Sequence, residues 1–282
     1  MRIVVAREPD PRVALVPADV PALVALCHEV VIEEGLTELH PDAAYVAAGA
    51  RLGTRDDADL VVSVLPVEAA APTLALRAPA TYVLERVPRT GRAQVVDAVT
   101  SQALVAGHHG ALVAAARWDG LLGRHSTSAG TLGPADALVL GSGVAGLEAI
   151  GTLVRLGVRV AAHDVRPSCA AEVASLGASY VAADEVADRV READLLVTTA
   201  RSVGQPVPLL VTAAQVAAMR PGSVVVDVAG GNVDGPVAWR GGPDAAAARP
   251  ATASRLYSAH VAAFVALLTR DPDDEVVAAC RT

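Results

Sequence analysis

The residues best suited to chemistry form a glycine-spaced hexad, Gly141-Ser142-Gly143-Val144-Ala145-Gly146, and a carboxylate, Asp164, 18 residues beyond the last of those glycines. The hexad follows an apolar run, Ala137 to Leu140, and opens a helical pattern from Leu147 to Leu156. A dinucleotide pyrophosphate needs that order. The first glycine permits a tight turn, the second lets backbone N–H groups approach the phosphates, and the third lets helix and strand pack closely, with the helix N-terminus facing the negative charge. Asp164 can accept both hydroxyls of an adenosine ribose and would repel a 2′-phosphate, which favours NAD over NADP; Arg166 nearby could instead hold that phosphate. A glycine turn without any cofactor is the competing explanation, since such spacing also arises by chance.

A second concentration runs from Val87 to Asp97 and carries Arg89, Arg92, Gln94 and Asp97 just before a long helical pattern. By spacing alone an ordinary solvated loop is the more common source of such a stretch. His108 and His109 lie in that helical pattern and could face a cofactor, although a partly solvated pair is commoner. His125 and His163 have no metal-ligand spacing, and no metal is expected. Tyr82 and Tyr257 could each protonate a substrate, but core packing with a satisfied hydroxyl is the simpler role. Glu33 and Glu34 read as a solvated strand end, and Asp271 to Glu275 as a solubilising acidic tail.

Composition narrows the options. All 23 basic residues among the 282 are arginines, so no lysine can form a Schiff base or serve a phosphate loop. The formal charge of −8 argues against a nucleic-acid partner. Cys27, Cys169 and Cys280 are widely separated, which suggests neither a zinc site nor a disulfide framework. With only seven aromatic residues the core must be aliphatic and alanine-rich. The N-terminus enters a strand-like run directly, without the apolar block of a signal peptide. The late apolar stretch Val261 to Leu268 is short of the ~20 residues that cross a bilayer. A cytoplasmic protein without a membrane segment is expected.

The elements that must position these groups alternate. Strands are predicted at Ile3–Ala6, Glu29–Ile32, Asp59–Leu65 and Thr81–Glu85, with helices at Pro17–Leu26 and Asp42–Ala50, and 66–80 as a connection. A long helix follows, from Thr100 to about Ala116. The small polar stretch Ser126 to Pro134 marks a boundary, and further strands are expected at Ala137–Leu140, Arg159–Ala162, Leu195–Thr198 and Ser223–Val228. Residues 230–250 read as loop, and Ser254 to Leu268 as a closing helix packed on the first domain. The alternation implies an α/β protein with parallel sheets. No internal repeat is visible.

Several stretches carry a family resemblance: Arg12-Val13-Ala14-Leu15-Val16-Pro17, Ala58-Asp59-Leu60-Val61, Arg92-Ala93-Gln94 with Asp97, Gly141 to Gly151, His163 to Pro167, Val197-Thr198-Thr199-Ala200, Met219 to Asp227 and Ser254-Arg255-Leu256-Tyr257. The chain resembles the alanine dehydrogenase and pyridine nucleotide transhydrogenase family, and most of all the NAD(H)-binding part of the transhydrogenase alpha subunit. The resemblance implies two Rossmann-like domains flanking a cleft. The first is residues 1–107 with 249–282, followed by a connecting helix at 108–127 and an NAD(H)-binding domain at 128–248. It implies that Arg89, Gln94 and Asp97 act at the nicotinamide end. The cofactor set would be Gly141, Ser142, Gly143, Val144, Ala145, Gly146, Asp164, Val165, Arg166, Thr199, Ala200 and Thr100, the last where the family has a serine. The substrate side would carry Arg12, Ser63, His108, His109 and Tyr257. A homodimer is expected on the same ground.

The departures are informative. The family's substrate lysine is matched by Ser63, no histidine occurs between Leu65 and Thr81 where a catalytic one belongs, and its catalytic aspartate is matched by Gly231. Amino-acid deamination needs a group that accepts and returns a proton; hydride transfer between two nicotinamide rings needs only alignment and dryness. The expectation is therefore an NAD(H)-dependent oxidoreductase. It is either a free-standing dehydrogenase with a rebuilt substrate site or a component that passes hydride to an NADP-binding partner, with a non-catalytic NAD-binding module as the third option. Its partner is accordingly a small-molecule substrate or a second nicotinamide-binding protein.

Overall fold

A computed structural model describes all of residues 1–282. The chain divides into two compact units, Met1–Gln102 with Arg249–Thr282, and Ala103–Ala248. In chain order, the first unit opens with β1 (Arg2–Val5), α1 (Val20–Ala25), β2 (Glu29–Ile32), α2 (Asp42–Ala47), β3 (Arg51–Leu52), β4 (Leu60–Val62), β5 (Thr73–Ala75) and β6 (Tyr82–Val83). The short runs of Val, Ile and Leu make strands because both faces are covered: every residue of β4 and β5, and three of four in β1, are buried. The six strands are parallel in the order β3-β2-β1-β4-β5-β6.

Next comes α3 (Ala98–Arg117), the helix in which the boundary between the units falls. Its range corrects the expected connecting helix at 108–127, because residues 118–124 are not helical and the chain then enters β7 (His125–Thr127). The expected polar boundary is in fact an exposed antiparallel hairpin of β7 and β8 (Gly130–Leu132), closed by the Ser128–Ala129 turn.

The second unit continues with β9 (Asp136–Leu140), α4 (Val144–Arg155), β10 (Arg159–His163), α5 (Cys169–Ser175), β11 (Ser179–Tyr180), α6 (Val186–Glu192), β12 (Leu195–Thr198), α7 (Ala213–Ala217), β13 (Val224–Asp227) and β14 (Trp239–Arg240). Its parallel order is β11-β10-β9-β12-β13-β14. The two units thus share one strand order, a duplication that no sequence repeat betrays. The core of the second unit has no fully buried aromatic ring and is built from Val, Leu, Ile and Ala with a single methionine, Met219. β5 and β14 correct the expectation that residues 66–80 and 230–250 are plain connections.

The chain returns to the first unit through α8 (Pro250–Arg270) and α9 (Glu275–Cys280). By length and composition α8 could cross a membrane, in contrast to the shorter apolar stretch expected there. Its apolar side chains have another destination: Tyr257, Val261, Phe264, Val265 and Leu268 lie buried at helical spacing in the core of the first unit. Ser254 and Ser258 accept the backbone N–H groups of Val13 and Val16, each at 2.9 Å, which docks the opening segment on the helix. Within the acidic stretch 271–275, Asp271, Asp273 and Glu275 are exposed as expected, and Asp274 is the exception. Asp274 is buried and caps α9 by accepting the Val276 N–H at 2.8 Å.

Candidate functional site

In the second unit the strand order reverses between β9 and its neighbours β10 and β12, the place where open parallel sheets bind ligands. Gly141 leaves β9 at φ +98°, a left-handed conformation, and a Cβ there would meet Thr199 Oγ1 at 2.8 Å and the Ala200 nitrogen at 2.9 Å. A Cβ on Gly146 would lie 1.9 Å from the Gly141 carbonyl oxygen, so only glycine lets the first turn of α4 sit against the loop. Beyond the Gly143 Cβ position there is open space. Gly143 is also the N-cap of α4, and no side chain caps that helix. The Ser142 hydroxyl is buried without a hydrogen-bond partner. Free space, an uncapped helix start and an orphaned hydroxyl all fit a pyrophosphate.

Asp164 follows β10 directly. Its carboxylate accepts the Ser142 N–H at 2.7 Å, the Arg166 N–H at 2.9 Å, and Arg166 Nε and Nη2 at 2.9 and 3.1 Å. Burial pushes this carboxyl up, but the Arg166 side chain and the two backbone N–H groups outweigh it and hold it at about 2. Arg166 is thereby paired with Asp164. Val165 between them is 87% exposed, an apolar side chain presented to solvent at the rim of the turn. The Tyr180 hydroxyl donates to the Asp164 carbonyl at 2.5 Å.

Thr199 donates to the Gly141 carbonyl at 2.9 Å, and Ala200 is held on both sides of its peptide by Asn232, which accepts from its N–H and donates to its carbonyl, each at 2.9 Å. Asn232 is fully buried and was not expected from the sequence. Behind it, buried Asp227 accepts from Thr198, the Gly230 N–H and Arg240 at 3.1, 2.9 and 2.7 Å. Gly107 on α3 is a further unforeseen contact: a Cβ there would lie 2.0 Å from the Ala145 carbonyl, so its hydrogen side chain admits the start of α4.

In the first unit, Asp97 caps α3. One oxygen accepts the Thr100 N–H at 3.1 Å, the other the Thr100 hydroxyl at 2.7 Å and Arg89 Nη1 at 3.3 Å. Arg89, Asp97 and Thr100 are thus brought together, and Gln94 stands exposed beside them in a 3-10 turn, Gly91–Val96. Arg12, Ser63 and Tyr257 are closed off from solvent. Arg12 is 1% exposed and fixed to Asp10 through Nε and Nη2 at 2.9 and 2.7 Å, and to Gln102 at 3.0 Å. Tyr257 is buried and donates to the Ser63 carbonyl at 2.9 Å, and burial pushes its hydroxyl pKa well above the ordinary value. The Ser63 hydroxyl is buried without a partner.

His108 and His109 both belong to the second unit and are partly exposed. His108 meets Glu148 and Thr152 of α4 at 3.3 and 3.2 Å, and His109 lies edge-on to Trp239, 4.8 Å between centroids. Glu8, absent from the expected set, accepts the N–H groups of Val64 and Leu65, each at 2.7 Å. Burial raises its pKa to about 7 against those two hydrogen bonds, with Asp10 adding to the rise and Arg12 opposing it.

Residues 110–281 match the family described as alanine dehydrogenase/PNT, C-terminal domain, and residues 4–84 match the corresponding N-terminal domain. The chain belongs to the alanine dehydrogenase/PNT family. Among curated relatives, the NAD(P) transhydrogenase subunit alpha of Haemophilus influenzae is 30% identical over 95% of this chain and 66% of its own length. The NAD(P) transhydrogenase subunit alpha of Cereibacter sphaeroides is 33% identical over 80% of this chain and 55% of its own. The chain therefore spans between about half and two thirds of the length of these two relatives. A transhydrogenase structure from Sinorhizobium meliloti superposes with a TM-score of 0.87 at 36% identity, covering 95% of each chain. An L-alanine dehydrogenase structure, at 24% identity and a TM-score of 0.82 over 100% of this chain and 94% of its own, shares the fold. The alanine dehydrogenase/PNT fold is thus present in both halves, and the glycine hexad and Asp164 lie within the matched C-terminal domain.

Proposed function

We propose that the chain is an NAD(H)-dependent oxidoreductase whose second unit holds the cofactor. The observation that carries this is the Gly141–Gly146 loop with its open, uncapped helix start and the Asp164 carboxylate bonded to the Ser142 N–H. The backbone of 141–146 would bind the pyrophosphate, Asp164 the adenosine ribose, and exposed Val165 would cover the adenine. Arg89, Gln94, Asp97 and Thr100 would act at the nicotinamide end. When bound, the cofactor supplies or accepts the hydride; the chain's role is to align the ring and exclude water.

Within that activity the side chains favour a component that presents NAD(H) to a second nicotinamide-binding protein. Arg12 has its guanidinium occupied by Asp10 and Gln102, and Tyr257 has its hydroxyl committed to a carbonyl, so neither is free to hold or protonate a small acid. Hydride passage between two nicotinamide rings requires no such group. A free-standing dehydrogenase is the second reading, favoured by Glu8, a half-buried carboxyl near neutrality that could accept a substrate proton. The homodimer and cytoplasmic location expected from the sequence belong to the same proposal.

Titration of the purified chain with NADH tests the cofactor assignment, and absence of binding refutes it. Hydride transfer from bound NADH to an NADP analogue, dependent on an added NADP-binding subunit, supports the component reading. Turnover of amino or hydroxy acids by the chain alone would replace it with the second.

A further inference from the structure

The loop assigned to the nicotinamide end is held by side chains that the motif itself does not explain. Arg92, in the 3-10 turn between Arg89 and Asp97, is half-exposed and reaches across a sequence separation of 182 residues to Asp274, with Glu275 at 3.0 Å on its other nitrogen. Asp274 is the stronger anchor, because its side chain is 2% exposed and its other oxygen caps α9. On the far side of the turn, His260 of α8 bonds through Nδ1 to the Val95 carbonyl at 2.9 Å. Anchorage continues beyond α9: the Thr282 N–H donates to the Thr81 carbonyl at 3.0 Å, and Arg86 donates to the Arg281 carbonyl at 2.7 Å. The last helix is thus tied to the sheet edge at one end and to the Gly91–Val96 turn at the other.

We propose that Arg92 is a positioning residue, which with Asp274 and His260 makes the C-terminal helices α8 and α9 set the geometry of Gln94 and Asp97. The proposal rests on the NAD(H) reading above and adds residues that carry no role in it. Gln94 is exposed on a turn only six residues long, so its own contacts do not fix it. A short turn keeps one conformation when its backbone and flanking charges are tied to rigid elements, and a guanidinium bridging two carboxylates supplies such a tie. Arg92 does not touch the cofactor under this reading and acts through the turn.

The test compares NADH with ADP-ribose, which carries the adenosine and pyrophosphate groups without the nicotinamide. The full-length chain is titrated with both, as wild type and as Arg92→Ala, Asp274→Asn and Arg92→Lys. Asparagine keeps the α9 cap and removes only the charge, which separates the tie from the helix. The dissociation constant for NADH should rise about fivefold in Arg92→Ala and Asp274→Asn, the size expected when one ordered side chain is released, while that for ADP-ribose stays within about twofold. The emission of bound NADH should move toward that of free NADH, and Arg92→Lys should recover some of both signals. Equal changes for the two nucleotides, or none, overturn the proposal, as does wild-type chain that binds NADH no more tightly than ADP-ribose. A wild-type chain that binds neither nucleotide refutes the cofactor reading itself, and this proposal with it.

Discussion

Replacing Asp164 with alanine perturbs two things at once, and they can be told apart. In the free chain the carboxylate accepts four hydrogen bonds, from the backbone N–H groups of Ser142 and Arg166 and from two Arg166 nitrogens. Ser142 is 1% exposed, so its N–H loses its partner without gaining water, a penalty of about 1–3 kcal/mol on the loop. The acceptor for the ribose hydroxyls also goes, worth about 1.5–3 kcal/mol for a charged hydrogen bond. Taking about 2 kcal/mol as the share that appears in binding, NADH affinity should fall roughly 30-fold. NADPH should respond differently. The repelling charge is gone and Arg166 is released toward a 2′-phosphate, so NADPH affinity should hold or improve. Fluorescence titration of both nucleotides at one fixed salt concentration reads the two effects. Asp164→Asn, which keeps an acceptor for Ser142, should fall between wild type and alanine for NADH. NADH affinity within twofold of wild type in Asp164→Ala would refute the assignment. Equal weakening of NADH and NADPH would instead show that the substitution acts only by spoiling the loop.

The glycines make a contrasting pair. Gly146→Ala places a Cβ 1.9 Å from a backbone oxygen and should both lower the melting temperature and abolish measurable NADH binding, whereas Gly143→Ala, with nothing within 4 Å, should leave stability unchanged and weaken binding only. Glu8 should make stability fall as pH rises: its folded pKa of about 7 lies above the ordinary 4.5, so the folded state holds the extra proton between those values. Unfolding free energy should drop across pH 4.5–7 by up to about 3 kcal/mol, and Glu8→Gln should flatten that slope; an unchanged slope in denaturant titrations contradicts the burial argument. Calorimetric titration should return one NADH per chain, and two would show that the first unit also binds.

What could be read from the residues, and what could not, follows from the range of the interactions involved. The hexad was recognisable because its three glycines answer local demands within six residues, and the flanking strand and helix patterns are periodic over longer windows. The fixed length of a strand–helix–strand unit puts Asp164 directly after the second strand. Nothing comparable signals Glu8, whose partners Val64 and Leu65 lie more than fifty residues away, or Asp274, whose partner Arg92 is 182 residues distant. A lone carboxylate has no period and looks the same whether solvated or buried. The same limit hides Asp274 among the solvated carboxylates Asp271, Asp273 and Glu275. β5 and β14 escaped because strands of three and two residues between prolines and glycines are too short to show alternation. One helix carries the histidine pair at 108–109, and only packing decides which neighbour each meets.

The two units put one strand order to opposite electrostatic uses. In the second, the chain leaves β9 through glycines, and the start of α4 is left without a side-chain cap, so positive backbone dipoles face outward at the reversal of strand order. In the first, the chain leaves β1 through Arg7-Glu8-Pro9-Asp10-Pro11-Arg12, and the N–H groups after β4 are already answered by the chain's own Glu8 carboxylate. Asp10 then occupies Arg12, the nearest buried cation. A phosphate placed there would meet the Asp10 carboxylate and the Glu8 oxygens, and no unsatisfied N–H from Val64 or Leu65. Duplication of the topology therefore does not duplicate the site. What separates them is a glycine where the backbone must be bare and a glutamate where an anion-binding position is filled from within.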